Sequence, residues 1–335
     1  MPPAPSARIA GYEILESLGL PGGRLVYVAT EVDSRRRVVL KLAPLGDEEA
    51  ARRLRRELEV LLVAAGPGVV RTIGHGEAPH LGFAYLALEA HGPSLAAALG
   101  ASPGHRLPAD QAIAAVRAAA LALAELHARG WCHGDVKPGN FLFSGDGSAV
   151  LTDLECAAPL SPAERERRAG DSFAATHAFV APEVWTLGAG ALSARSDVWA
   201  LGVTLYFALT GVYPYGYQDP REISEAARSG AAPVFPREVP GPAAKAAIAM
   251  LSYDPGKRPA DGREAAERLS LALAELEVDG QLALESFLVS LRSLAIFRAL
   301  TEPPTTKVPR ASVGPAPAPA QLAAAAPARA PAPGP

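Results

Sequence analysis

Two short segments constrain this chain more than anything else in it. Residues 133–140 read His-Gly-Asp-Val-Lys-Pro-Gly-Asn, and twelve residues after Asn140 comes Thr152-Asp153-Leu154-Glu155. Between them, Ser144-Gly145-Asp146-Gly147 reads as a hairpin turn, and Ala149-Val150-Leu151 leads back to Asp153. A hairpin there gathers Asp135, Lys137, Asn140 and Asp153: two carboxylates, an ammonium and an amide. Phosphoryl transfer from ATP needs that set. Asp135 would accept or orient the proton of an attacking hydroxyl, Asn140 and Asp153 would hold magnesium, and Lys137 would balance charge on the moving group.

Composition removes several other classes. At 335 residues with 49% hydrophobic content the chain can bury one large core or two modest ones. A net charge of -3 gives no bulk attraction to nucleic acid or an anionic membrane. Cys132 and Cys156 are the only cysteines, which fits a reducing cytoplasm rather than a disulfide framework. Met1 to Ala10 is Pro/Ala-rich and lacks the apolar centre of a signal peptide. No run reaches the roughly 18 charge-free apolar residues of a membrane span; the nearest, Gln281 to Leu300, is broken by Glu285, Arg292 and Arg298.

The first third reads as strands. Tyr12–Leu15, Leu25–Ala29 and Arg37–Leu42 are rich in β-formers, with Asp33-Ser34 in the turn between the last two. A Gly-rich stretch, Gly19 to Val26, joins the first pair. A helix is expected from Asp47 to Ala65, with Leu54, Leu58 and Leu61 on its buried stripe. Glu57 falls on that stripe, and a carboxylate there calls for a buried cation; Lys41, closing the strand Val38-Val39-Leu40-Lys41, is the partner that presents itself. Ala109 to Arg129 is a long Ala/Leu helix ended by Gly130. Ser161 to Ala175, polar and Arg-rich, reads as a mobile loop.

The two opening segments resemble the catalytic loop H-R-D-x-K-x-x-N and metal loop D-F-G of protein kinases, and further matches follow in order. Gly19 to Val26 occupies the place of the glycine-rich loop, with Gly19, Gly22 and Val26 as candidate nucleotide contacts. VVLK resembles V-A-I-K. Tyr85 to Gly92 resembles the inter-lobe hinge. Thr176 to Glu183 resembles T-x-x-Y-x-A-P-E, Ser196 to Gly202 S-D-x-W-x-x-G, Leu209 to Tyr215 L-T-G-x-x-P-F, and Asp254 to Pro259 D-P-x-x-R-P. The family is the bacterial-type Ser/Thr protein kinases, matched from about Tyr12 to Glu275; Lys137, two after Asp135, fits the Ser/Thr class. The resemblance implies an α+β fold of two lobes, a small β-rich one and a larger, mostly helical one. It implies a Lys41–Glu57 pair, adenine bonded to backbone near Glu89 to His91 behind Leu88, and a ring sandwiched by Val26, Val39 and Leu142. It also pairs Arg258 with Glu183. ATP and magnesium are the implied cofactors, and protein Ser/Thr hydroxyls the acceptors.

The departures carry expectations of their own. Pro21 and Arg24 replace loop glycines, and Val39 stands where Ala is usual. Gly134 replaces the Arg that binds a phosphorylated activation loop, so control by loop phosphorylation is not expected. Glu155 replaces the metal-loop Gly; if swinging Asp153 outward needs a positive φ at that position, Glu155 biases Asp153 to point inward. His133-Gly134-Asp135 with Asp153-Leu154-Glu155 also looks like aminoglycoside- and choline-type small-molecule kinases, which lack the A-P-E, D-V-W and D-P-x-x-R-P series. The altered loops leave a catalytically silent binding module as a further alternative. The expected layout is a disordered 1–10, a small lobe at 11–89, a large lobe at 90–275, a helical extension at 276–302 carrying one amphipathic helix, Glu285 to Leu300, and a disordered Pro/Ala-rich tail at 303–335 that is a candidate for partner binding.

Overall fold

Alternation in the first strands decides which side chains meet the inter-lobe cleft. In β4 (Arg37–Pro44) the side chains of Val38, Leu40 and Leu42 join a core with Ile9, Tyr12, Ile14, Tyr27 and Ala87 on one face of the sheet. A period of two therefore turns Val39 and Lys41 to the other face. The computed structural model describes residues 7–19, 25–161, 163–164, 177–216 and 220–301. Besides β4, the first sheet holds β1 (Arg8–Ile9), β2 (Tyr12–Ser17), β3 (Leu25–Glu31), β5 (Thr72–Ala78) and β6 (Phe83–Glu89). It is antiparallel, in the order β1-β2-β3-β4-β6-β5.

Helix α1 (Glu48–Val63) lies against β4, β5 and β6. Asp47 caps it, its side chain accepting from Ala50 N at 3.0 Å. Glu57 is buried beside Val60 and Leu61, as the stripe requires, while Leu54 and Leu58 are only half-buried. The small β-rich lobe and larger helical lobe of the sequence reading are both present.

The large lobe is built on two apolar helices. It begins with α2 (Leu95–Ala101) and α3 (Ala109–Ala128), passes through the short strands β7 (Trp131–Cys132), β8 (Phe141–Phe143), β9 (Ala149–Leu151) and β10 (Ala158–Pro159), and continues with α4 (Pro182–Leu187), α5 (Ala194–Thr210), α6 (Pro220–Arg228), α7 (Gly241–Met250) and α8 (Gly262–Glu275). β8 and β9 form the expected hairpin. α3 and α5 are buried nearly all round, which suits helices that other helices enclose. α3 alone among the described helices is long and apolar enough to cross a membrane by length and composition, but 72% of that window is buried inside the domain. Gly262 opens α8 where it crosses α3; a Cβ there would meet Ala120 O and Ala124 N at 2.5 Å, so only glycine admits the crossing.

Arg258 ties three parts of this lobe together. Its Nη1 and Nη2 donate to Glu183 Oε1 and Oε2 at 2.7 and 2.8 Å. Its remaining donors reach the carbonyls of Ser252, Arg195 and Tyr253, and the guanidinium lies 4.9 Å from the Trp199 ring centroid. Every guanidinium proton is thereby placed.

Two expectations change. The N-terminal segment is not wholly without structure, because Arg8 and Ile9 pair with Glu13 and Tyr12 as an edge strand and Ile9 is buried. The amphipathic helix of the extension is two helices, α9 (Gly280–Arg292) and α10 (Ala295–Thr301). Leu288 and Leu291 are buried as the spacing requires, but the break at Ser293 and Leu294 turns the stripe, and Ala295 is exposed. The glycine-loop positions Pro21, Gly22 and Arg24, the loop residues 165–176, and the tail from Pro303 lie outside the described residues.

Glu183→Ala would leave a fully buried guanidinium facing only carbonyls. Removing one partner of a buried pair costs about 3 kcal/mol or more, and urea denaturation should register a loss of that size. A change below ~1 kcal/mol would mean the pair is dispensable to the fold.

Candidate active site

Lys41 is held by two carboxylates. Its Nζ donates to Glu57 Oε1 and Oε2 at 2.6 and 2.8 Å, and to Asp153 Oδ1 at 3.2 Å. The lysine side chain is 12% exposed and that of Glu57 4%. Burial works against the ammonium, but Asp153 and Glu57 outweigh it and hold the Lys41 pKa above the usual lysine range. The balance is physically reasonable. An opposite charge at about 4 Å contributes roughly 4 kcal/mol at an effective dielectric of ~20, while burying an ion costs several kcal/mol; a second carboxylate tips the sum. Burial raises the Glu57 carboxyl, Lys41 opposes that, and Asp153 and Glu155 add to it.

The catalytic-loop residues come together as their spacing implies. Lys137 Nζ lies 2.5 Å from Asp135 Oδ2. Asn140 Nδ2 donates to the Asp135 carbonyl at 2.8 Å, which ties down the amide nitrogen and makes the amide oxygen the end that could bear a ligand. His133 is fully buried and fixed in one tautomer. Its Nδ1 accepts from Asp135 N at 3.2 Å, so the proton sits on Nε2 and is donated to the Thr152 carbonyl at 3.0 Å. That bond joins the catalytic loop to the segment carrying Asp153.

Beneath this loop lies a support whose role the sequence reading missed. Asp197, near the start of α5, accepts from His133 N at 2.6 Å and Gly134 N at 2.9 Å. His127 Nε2 donates to the same carboxylate at 3.0 Å, because its Nδ1 accepts from Gly262 N at 3.1 Å. Both side chains are almost fully buried. One carboxylate thus joins α5, the end of α3, the start of α8 and the catalytic loop. A signal was present in Ser196-Asp197-Val198-Trp199, but nothing in the sequence paired it with His127.

Gly134 has φ +77°, and a Cβ there would strike the Cys156 carbonyl. Asp153 is itself left-handed, at φ 65° and ψ 57°, and the following Leu154–Cys156 forms a right-handed single turn with Leu154 fully buried. The positive φ of this segment therefore falls on Asp153 and not on Glu155. In this conformation Asp153 points inward, to Lys41.

The cleft-lining positions are placed less completely. Val26 stands opposite Lys41 and Val39 opposite Leu88 in the strand registers. Val26 and Leu88 are buried, Val39 and Leu142 half-buried. Gly19 closes the described part of its loop at φ +42°. Glu89 N donates to the Arg71 carbonyl at 2.8 Å, so of its two backbone groups the carbonyl is the one that could meet a ligand. Its side chain is paired with Arg71, which holds its carboxyl below the usual range. His91 Nδ1 lies 3.0 Å from Ser144 Oγ, and burial depresses the His91 pKa.

Asn140 and Asp153 present oxygen donors, the type that hard divalent cations take. Among the described residues no group of three or more His, Cys, Asp or Glu side chains could hold a metal by itself. A divalent cation held by these two residues would take the rest of its shell from other oxygen donors.

Residues 12–269 match the family model described as the protein kinase domain. The chain is 30% identical over 297 residues to the DNA damage-responsive serine/threonine-protein kinase RqkA of Deinococcus radiodurans, covering 82% of this chain and 42% of that protein. It is 28% identical over 268 residues to the serine/threonine-protein kinase PknA of Corynebacterium glutamicum, covering 78% and 56%. It is 30% identical over 273 residues to the serine/threonine-protein kinase PknD of Mycobacterium tuberculosis, covering 81% and 40%. The chain spans about half the length of these relatives.

Asp197→Asn supplies one acceptor oxygen where two are used and sets an N–H group against a backbone donor. Loss of a buried, charge-assisted hydrogen bond costs about 2–3 kcal/mol. The variant should unfold at correspondingly lower urea, and amides 133–135 should lose hydrogen-exchange protection. Unchanged protection there would remove Asp197 as the support of the loop.

Proposed function

The chain belongs to the protein kinase domain family, and from that premise we propose that it transfers the γ-phosphoryl group of ATP to Ser or Thr hydroxyls of protein substrates. The observation that carries this reading is the convergence of two clusters, Lys41–Glu57–Asp153 and Asp135–Lys137–Asn140, through the His133 bridge. Asp135 takes up the proton as the hydroxyl oxygen bonds to the γ-phosphorus and the bond from that phosphorus to the ADP oxygen breaks. Lys137, already seated on Asp135, neutralises charge on the moving phosphoryl oxygens. Lys41, aimed by Glu57, meets the phosphates of the nucleotide.

Asn140 and Asp153 are the residues to hold the divalent cation, for which magnesium fits best, since hard oxygen donors and phosphate oxygens suit it. When bound, the cation supplies charge neutralisation at the phosphates. To nucleotide contact we further assign Gly19, Gly22, Val26, Val39, Leu88, the backbone from Glu89 to His91, and Leu142. The two thiols, Cys132 and Cys156, fit a cytoplasmic setting. Gly134 supports control without loop phosphorylation: it offers no guanidinium, and its conformation excludes a side chain.

With labelled ATP and magnesium, a protein acceptor should be labelled on Ser or Thr while choline and aminoglycosides are not. Asp135→Asn keeps the volume and removes the proton acceptor. It should lower turnover by ~100-fold or more with an unchanged unfolding midpoint, and wild-type labelling by this variant would sink the assignment. Ser161→Ala and Ser172→Ala should each retain most activity; a loss beyond about tenfold, some 1.4 kcal/mol of barrier, in either would reinstate control by the loop.

A further inference from the structure

Helices α9 and α10 lie beyond residue 269, where the family match ends, yet they reach both lobes. α9 is fixed on the large lobe. Phe287 is fully buried and stacks edge-on against Phe143 of β8, with centroids 4.9 Å apart. Leu288 and Leu291 are buried beside it, and Arg292 donates to the Gly145 carbonyl at 2.8 Å. The chain then breaks at Ser293 and Leu294, and α10 comes against β4 of the small lobe.

Where α10 passes, it covers the hinge. Leu300 is 6% exposed, and together with Thr301 it lines the same cleft as Ala90, His91 and Gly92. A Cβ built on Gly92 would lie 3.5 Å from Phe297 Cε2 and would strike the Phe143 carbonyl. Phe143 N donates to the Pro93 carbonyl at 3.2 Å. The end of the hinge is thus fastened to β8, β8 to α9, and α9 through α10 back to β4. That is a closed loop of contacts around the one segment that joins the lobes.

We propose that α9 and α10 form a brace that fixes the hinge backbone and the angle between the lobes, with Phe297 and Leu300 as positioning residues for the adenine end of the nucleotide. The nucleotide part rests on the kinase reading above; the brace itself does not. A braced hinge keeps the binding-competent geometry populated. Loosening it lowers that population, and the apparent nucleotide affinity falls in proportion while the phosphoryl-transfer residues are untouched.

The test uses the full chain with Leu300→Asp and Phe297→Ala, and Leu300→Met as the conservative control. Hydrogen exchange without nucleotide should be about tenfold faster at amides 89–92 in the first two, with amides of α3 and α5 unchanged. Calorimetry should show ATP binding weakened about fivefold, with the KM for a protein acceptor unmoved and wild-type behaviour in Leu300→Met. Unchanged exchange at the hinge in both variants overturns the brace, as does a uniform loss of protection across the domain, which is what a merely structural helix would give. Should ATP fail to bind the wild-type chain, the kinase reading falls while the exchange result still decides the brace.

Discussion

The buried carboxylate of Asp197 is the interaction on which the rest of the large lobe depends. It is taken out of water near the start of α5, and an unpaired charge there would be prohibitive. It is tolerable because three donors converge on it: the amides of His133 and Gly134 and the imidazole of His127. The cost of burying it becomes specificity, since any other course of the catalytic loop would strand that charge. Gly262 completes the arrangement from behind, allowing α8 close enough to α3 for its own amide to set the His127 tautomer.

A second charge problem is solved differently across the cleft. Lys41 sits among buried groups and stays charged because it has two anions, one from each lobe: Glu57 on α1 and Asp153 on the segment after β9. Asp197 is static, enclosed within one lobe. The Lys41 cluster spans the junction, so its geometry is sensitive to how α1 and the small lobe sit on the large one. One charge is thus satisfied inside a single lobe, and the other by groups drawn from both.

Much of this was legible in the sequence, and the reasons differ by residue. Lys41 and Glu57 could be paired because a carboxylate on an apolar helical stripe needs a cation and the preceding strand offered one. Asp135, Lys137 and Asn140 were legible because their separation is local. Glu183 and Arg258, 75 residues apart, came from resemblance alone, since no local rule joins them. His127 was missed because a histidine near a helix end has many bland explanations, and its partners, Asp197 and Gly262, lie far along the chain. The break at Ser293 and Leu294 escaped because spacing across it still reads as one helical stripe, and the contact of α10 with β4 beyond it is one that no periodicity reports. Glu155 drew attention by standing in a glycine's place, while the left-handed residue is its neighbour, Asp153.

The left-handed Gly134, pressed against the Cys156 carbonyl, bears on how this chain can diverge. Placing an arginine at that position is a single residue change, but the new Cβ meets a main-chain carbonyl rather than a yielding side chain. The change would become tolerable only after the Leu154–Cys156 turn had moved, and that turn is anchored by a buried leucine and leads directly from Asp153. The two positions are therefore coupled: a side chain at residue 134 requires a different main-chain course at 154–156, and with it a different exit from Asp153.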